Sequence, residues 1–216
     1  MGIRRSDSTV ANRFEAMLIK ILADRLERLH AVNWLHKGLR SQSILFSRDA
    51  DTAVDCAQPF LSRFDYSRPE NADFMSEAPP HIRAEDVYRH PAVQGGPRDD
   101  AHGFGFKKHH GISSLGIIMM EIACWNSVDV VLGFEERRVR LPSETAGVRE
   151  TLLSGRFDDN LRGHMGDVVA EIVKSCLAGP DNSQIPIYGA DASRSGLKLQ
   201  EWFFHAVAKK LRDMRI

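Results

Sequence analysis

The longest apolar segment of the chain, residues 115 to 125, belongs to a predicted helix that starts near residue 112. This helix is apolar on nearly every side, which is typical of an element enclosed by other helices. It contains Glu121 and is far shorter than the roughly 20 residues that a bilayer span needs. We therefore expect a buried central helix, no membrane role, and a mainly helical fold packed around this element.

Other segments show the three- and four-residue spacing of apolar side chains that is typical of amphipathic helices. Residues 8 to 31 form the longest of them, and Ser8 or Thr9 is a suitable N-cap. Shorter helices are predicted at residues 144 to 155, 168 to 177 and 197 to 211, with residues 181 to 196 as a loop. Gly155, and Gly179 with Pro180, end the first two of these shorter helices.

Strand signals are confined to a small part of the chain. Two short apolar runs, residues 43 to 46 and 58 to 61, are separated by charged residues and predict a small β-hairpin. Residues 66 to 110 are rich in proline, glycine and charge, so we expect them to be largely irregular, with a short helix near residues 82 to 88. Residues 1 to 7 are expected to be disordered, and residues 8 to 214 to form one domain.

Composition excludes several classes of function. Lys plus Arg and Asp plus Glu are equal, at 29 each, so no net charge attracts nucleic acid or an acidic membrane. The N-terminus lacks the apolar region of a secretory signal. Cys56, Cys124 and Cys176 are widely spaced and form no CxxC pair, which is typical of buried thiols in a reducing compartment. We expect a cytoplasmic protein.

Four short segments follow one another in an informative order. Residues 36 to 46 read His-Lys-Gly-Leu-Arg-Ser-Gln-Ser-Ile-Leu-Phe, and residues 59 to 65 read Pro-Phe-Leu-Ser-Arg-Phe-Asp. Residues 88 to 92 read Tyr-Arg-His-Pro-Ala, and the central helix opens with Ile-Ser-Ser-Leu-Gly at residues 112 to 116. In this order they resemble the catalytic loop, the Asp-Phe-Gly segment, the end of the activation segment and the central C-lobe helix of protein kinases.

The resemblance covers roughly residues 10 to 212 and implies a fold. That fold is a protein-kinase-like C-terminal lobe, a helical bundle with a small β-hairpin, in which residues 66 to 110 are similar to an activation segment. We expect no N-lobe, because the catalytic-loop equivalent is reached by residue 36. The first and third segments look most like kinase-like domains of filamentous fungi, which are associated with prion-inhibition and heterokaryon-incompatibility proteins.

The groups that carry out phosphoryl transfer in kinases are replaced in this chain. In kinases an Asp of the catalytic loop accepts the substrate's proton, and an Asn and the Asp of Asp-Phe-Gly hold Mg²⁺. The matching positions here are Gly38, Ser43 and Arg63, and Phe64 matches the Phe. A like charge at contact range repels Mg²⁺ by on the order of 2 kcal/mol even in water. The resemblance therefore implies no catalytic residue, no bound cofactor and no metal.

Other matched positions have structural or open roles. The resemblance implies that His36 packs near the strand after the loop rather than acting as a base. Arg40 stands where kinases keep a Lys near the transferred phosphate, so it binds a phosphate, is a solvated charge, or pairs with Asp65. Gly111 and Ala92 replace two further carboxylates of the kinase pattern.

Histidines near the end of the irregular segment form a possible metal site. His102, His109 and His110 lack the spacing of known zinc sites, and adjacent histidines on an unordered segment rarely converge. We therefore interpret these three side chains as part of a solvated loop.

These observations predict a catalytically inactive kinase-like module, a pseudokinase, that works through protein–protein contacts, and the resemblance to fungal kinase-like domains implies a role in self/non-self recognition signalling. We expect the face that would meet an N-lobe to be partly apolar and to bind a protein partner or a second copy. One alternative is a divergent phosphotransferase that binds ATP and Mg²⁺ through a shifted ligand such as Asp65. Another is a helical scaffold unrelated to kinases.

Overall fold

The computed structural model describes residues 8–47, 55–70, 83–94, 105–134, 141–180, 185 and 192–215. This part of the chain is mainly helical and contains two small antiparallel sheets of two strands each. The predicted architecture, mainly helical with a small hairpin, is therefore confirmed at this level. The predicted disordered residues 1 to 7 lie outside the described residues.

The helices follow one another in chain order. They are α1 (Ser8–Ala31), α2 (Arg83–Asp86), α3 (Lys108–Cys124), α4 (Val128–Leu132), α5 (Pro142–Ala146), α6 (Val148–Leu153), α7 (Asp158–Ala178), α8 (Ala192–Phe203) and α9 (Lys209–Asp213). A π-helical turn, Phe204–Ala208, joins α8 to α9, and single 3-10 turns occupy Ser41–Ser43 and Pro91–Val93.

The strands form two pairs. Strand β1 (Trp34–Leu35) pairs with β4 (Arg68–Pro69), so that Trp34 lies opposite Pro69. Strand β2 (Ile44–Ser47) pairs with β3 (Asp55–Leu61), with Ile44 opposite Leu61 and an irregularity after Phe46. The second pair is the predicted hairpin, and its turn lies outside the described residues.

Helix α3 occupies the centre of the fold. All of its residues from Lys108 to Ala123 are buried, and it packs against α7, α1, α4 and α8. This confirms the central helix predicted from the apolar segment. Helix α1 buries one apolar face, which includes Ile19, Leu22 and Leu26, and exposes Arg25 on the opposite side. The amphipathic pattern predicted this helix over the same residues.

Several predicted boundaries are wrong. Helix α3 starts at Lys108, inside the segment predicted to be irregular. Lys108 can be buried in this first turn because its ammonium group is paired: it donates to Asn33 Oδ1 at 2.7 Å and lies 3.2 Å from Glu70 Oε2. Helix α7 is interrupted at Gly166, where φ is +78° and the backbone is not helical; the part after this break is the helix predicted from residue 168, and the part before it was not predicted.

Two further differences concern short elements. The helix predicted at residues 144 to 155 is divided into α5 and α6 at Gly147. Helix α8 begins at Ala192, within the stretch predicted to be a loop. The short helix predicted near residues 82 to 88 is present as α2. Of the predicted thiols, Cys176 is buried and Cys124 is half-buried.

Candidate functional site

The loop between β1 and β2 is closed by hydrogen bonds to its own backbone. Ser43 is buried, and its hydroxyl donates to the carbonyl oxygen of Gly38 at 2.9 Å, while its amide donates to that of Arg40 at 2.8 Å. Lys37 adopts a left-handed conformation, with φ at +52°. A non-glycine residue keeps such a strained conformation only where its surroundings fix the backbone. The loop is thus a defined structure.

His36 connects this loop to the segment that follows β3. Its ring is buried, its Nε2 lies 2.8 Å from the carbonyl oxygen of Ser62, and its centroid is 4.7 Å from that of Phe64. Burial is the main cause that lowers the pKa of His36 below its usual value. A neutral ring that donates to a backbone carbonyl holds two segments together, which is a structural role.

Ser62 and Arg63 complete the connection. The amide and hydroxyl of Ser62 donate to the carbonyl oxygen of Ser43 at 2.8 and 3.0 Å, and Arg63 Nε donates to that of Gln42 at 3.2 Å. Arg63 is left-handed, with φ at +62°. The structure therefore brings three of the motif positions, Gly38, Ser43 and Arg63, into one network. We call this network the 36–64 junction.

Two other motif positions have different neighbours. Gly111 packs against His30 of α1: a Cβ on this glycine would lie 3.5 Å from His30 Nε2, which is ordinary van der Waals contact. Arg40 forms a salt bridge with Glu85 of α2. The predicted alternative partner, Asp65, is exposed. Glu85 also lies 3.2 Å from the buried Arg89, so Arg40 belongs to a largely buried ion-pair group.

A second polar centre was not predicted. Glu121 is buried in α3, and its carboxylate accepts hydrogen bonds from the hydroxyl of Tyr88 at 2.6 Å, from the amide of Val128 at 2.7 Å, and from the hydroxyl of Ser41. Burial raises the pKa of Glu121 to about 6. The signal in the sequence is a single acid within an otherwise apolar helix, but nothing local in the sequence identifies its partners.

A cavity of about 340 Å³ lies beside this carboxylate. Its walls are mostly apolar and come from α1, β2 and α3, through Leu18, Ile44, Ile118 and Ile122. Apolar cavities of this size with a few polar groups are typical of small-molecule sites. The three donors already bonded to Glu121 give the carboxylate a structural role: it joins the loop, α3 and α4.

The interpretation of the histidines as a solvated loop is wrong for the two that the structure describes. His109 and His110 are buried in the first turn of α3, because the helix starts earlier than its apolar pattern indicates. One ring nitrogen from each of them and one from the half-buried His90 lie within 4.8 Å of one another. His102 lies outside the described residues.

The hairpin carries a group of exposed apolar side chains. Leu45 and Phe60 lie opposite each other on one face of the strand pair and are 53 % and 49 % exposed. We call these two residues the hairpin patch. Neighbouring exposed apolar side chains on a strand pair are typical of an interaction site. Phe46, the next residue of β2, is on the opposite face, and Phe64 follows the end of β3.

No protein-family model matches the chain, and no curated protein matches it significantly. Within the described ranges, none of the helices combines the length and the apolar character needed to cross a bilayer.

Proposed function

We propose that this chain is a catalytically inactive kinase-like C-lobe that works through protein–protein contacts. One observation carries the proposal: the 36–64 junction is tightly bonded, yet its motif positions supply no acidic side chain. Gly38 contributes only a carbonyl oxygen, Ser43 uses its hydroxyl to hold that carbonyl, and Arg63 binds the loop backbone. A framework of this kind fits a scaffold better than a phosphotransferase.

Electrostatics at the junction support an inactive module. Mg²⁺ in phosphotransferases is held by carboxylates together with substrate phosphates. Here Arg63 places a cation at the position that matches the metal-holding Asp. Its Nε donates a hydrogen bond to the carbonyl oxygen of Gln42 at 3.2 Å. Arg40 adds a second guanidinium, paired with Glu85. A divalent cation at this place would have to overcome the repulsion of Arg63 without the usual ligand.

The hairpin patch supports the part of the proposal that concerns protein contacts. Leu45 and Phe60 share one face of the strand pair, and strands at the edge of a sheet offer unpaired backbone groups as well. Burying apolar surface stabilises an interface by roughly 25 cal/mol per Å². The partner is another protein, or a second copy of this chain, that covers this face.

Nucleotide binding separates this proposal from the phosphotransferase alternative. We expect millimolar ATP with Mg²⁺ to leave the melting temperature of the chain unchanged, because the junction lacks ligands for the metal. Asp65→Ala serves as the paired variant, since Asp65 is the exposed carboxylate next to Phe64. A rise in melting temperature that depends on Mg²⁺ and disappears in Asp65→Ala would favour the alternative and contradict the proposal.

A further inference from the structure

Three imidazole rings meet where the Pro91–Val93 turn approaches the start of α3. The ring centroid of His90 lies 5.4 Å from that of His109 and 5.0 Å from that of His110, and the last two are 3.8 Å apart. The ring of Phe106 packs against His110 at 5.2 Å. His109 and His110 are buried, whereas His90 is half-buried.

Backbone hydrogen bonds determine which ring nitrogen carries the proton. The amide of Ala92 donates to His90 Nδ1 at 3.2 Å, and the amide of Lys107 donates to His110 Nδ1 at 2.9 Å. A neutral imidazole whose Nδ1 accepts a hydrogen bond has its proton on Nε2. The Nε2 atoms of His90 and His110 are therefore N–H donors.

Both rings are neutral near pH 7. Burial, and then the positive charge of Arg149, lowers the pKa of His90 to about 4. Burial is also the main cause that lowers the pKa of His110 well below its usual value. Each ring therefore carries its one N–H proton at Nε2. Its Nδ1 is unprotonated and accepts the hydrogen bond from the backbone amide.

The donor on His110 lacks an acceptor. Its Nε2 is buried and has no hydrogen-bond partner among the residues that the structure describes. A buried N–H without an acceptor is destabilising, and such groups in folded proteins are usually paired with protein, water or a ligand. An acceptor atom close to His110 Nε2 would remove this cost.

Two properties of the cluster favour an oxygen acceptor over a metal ion. The first is the direction of the hydrogen bonds that the rings make. Metal-binding histidines donate their other N–H outward, which is the reverse of the bonds at His90 and His110.

The second property is the charge of the surroundings. Lys107 and Arg149 lie close enough to disfavour protonation of the cluster, so the local field is positive. His110 lies in the first turn of α3, a helix of 17 residues, and the N-terminal end of a helix carries partial positive charge. Both features attract an anion and repel a metal cation.

We propose that the Nε2–H groups of His90 and His110 bind one oxygen of a small oxyanion, such as a phosphate group, at the N-terminal turn of α3. The site is separate from the 36–64 junction, so it stands or falls independently of the function proposed above. Oxyanion binding at helix N-termini is common, and here two side-chain donors supplement the helix.

The test is a titration of the whole chain with inorganic phosphate, followed by NMR of the histidine ring nitrogens. We expect both rings to show the Nε2–H form before phosphate is added. Phosphate in the millimolar range should then shift both Nε2–H signals saturably, while sodium chloride at equal ionic strength should not. A parallel titration with acetate distinguishes a phosphate from a carboxylate source of the oxygen.

Matched variants identify the donors. His90→Asn keeps an oxygen where Nδ1 accepts the amide of Ala92 but removes the Nε2–H group, so phosphate should bind about tenfold more weakly. His205→Asn, at an exposed histidine outside the cluster, should bind phosphate as the unchanged chain does.

Several results would overturn the proposal. They are ring signals that never saturate with phosphate or acetate, equal shifts with chloride, and undiminished binding in His90→Asn. Stoichiometric binding of Zn²⁺ with loss of the Nε2–H signals would show a metal site in its place. The titration of the unchanged chain decides the question even if a variant fails to fold.

Discussion

Glu121 joins more separate segments than its position within an apolar helix suggests. It accepts hydrogen bonds from Tyr88, from Val128 at the start of α4, and from Ser41 in the loop before β2. Burial raises its pKa to about 6, which means that the folded chain holds its proton more tightly than the unfolded chain does. Protonation of Glu121 therefore favours the folded chain, although the hydrogen bonds that its carboxylate accepts favour the ionised form.

We predict a pH dependence of stability that Glu121→Gln removes. The raised pKa of Glu121 contributes stability that is fully present below pH 4.5 and is lost as the pH rises through about 6. Its size is about 2 kcal/mol, since each pKa unit corresponds to about 1.4 kcal/mol. The measurement is urea unfolding of the unchanged chain and of Glu121→Gln at pH 4.5 and at pH 7. The difference between their free energies of unfolding should change by this amount between the two pH values.

The comparison with Glu121→Gln cancels the contributions of other titrating groups, including the buried histidines, whose lowered pKa values act in the opposite direction. Equal free-energy differences between the two proteins at both pH values would show that Glu121 ionises as freely in the folded chain as in the unfolded one. Such a result would show that burial in α3 does not raise the pKa of this carboxyl.

At the scale of elements, the contact between α3 and α7 holds the centre of the fold. Gly116 allows these helices to approach, because a Cβ at this position would lie 3.0 Å from the amide nitrogen of Leu177 and from Cys176 Cβ. Backbone atoms cannot move aside as the end of a flexible side chain does. The close approach therefore depends on glycine.

We predict that Gly116→Ala lowers the free energy of unfolding by about 2 kcal/mol, because overpacking a core typically costs about 1–3 kcal/mol. Gly163→Ala is the matched control: Gly163 lies in α7 with no atom within 4 Å of the added Cβ. This control should gain about 0.5–1 kcal/mol from helix propensity. Urea unfolding measures both, and a Gly116→Ala protein as stable as the control would contradict this packing.

The sequence predicts elements where one periodic pattern decides the structure. Helix α1 has the predicted bounds because its apolar residues recur along one face, and the core of α3 was evident from its apolar run. The start of α3 could not be predicted, since Lys108 is buried through partners far away in sequence, Asn33 and Glu70. The kink at Gly166 likewise interrupts the periodicity of α7.

The candidate site was predictable only in part, because some of its contacts join residues that are distant in sequence. The motif residues Gly38, Ser43 and Arg63 were identified from their order in the sequence, and they do form one network. Glu121 and the cluster around His110 depend on contacts between residues that are distant in sequence, so local patterns carry no signal of them.

At the scale of the whole molecule, the hairpin patch is the surface that most needs a partner in the proposed function. Leu45 and Phe60 project from paired strands rather than standing alone. Leu197 of α8 is 65 % exposed but is a single apolar residue on a polar helix face, which is ordinary for a protein surface. Leu197 is thus at least as exposed as Leu45 and Phe60, but among the described residues it has no exposed apolar neighbour of the kind that these two residues give each other.

We predict that the chain associates with itself through the hairpin patch when no other partner is present. Leu45→Lys and Phe60→Lys should each weaken this association at least about tenfold, since a charge at the centre of an apolar contact is poorly solvated. Leu197→Lys, the control, should leave it unchanged. Sedimentation velocity over a range of concentrations measures the association, and equal behaviour of all three variants would exclude the patch as the contact surface.

In the proposed function, the chain keeps the framework of a kinase-like lobe and lacks the groups that move phosphate. Incubation of the chain with Mg²⁺ and ATP labelled at the γ-phosphate, together with a general protein substrate, tests this claim most directly. We predict no transfer of label above that of a heat-denatured sample, for the unchanged chain and for Asp65→Ala alike. Label that appears on the substrate and is abolished by Asp65→Ala would contradict the account.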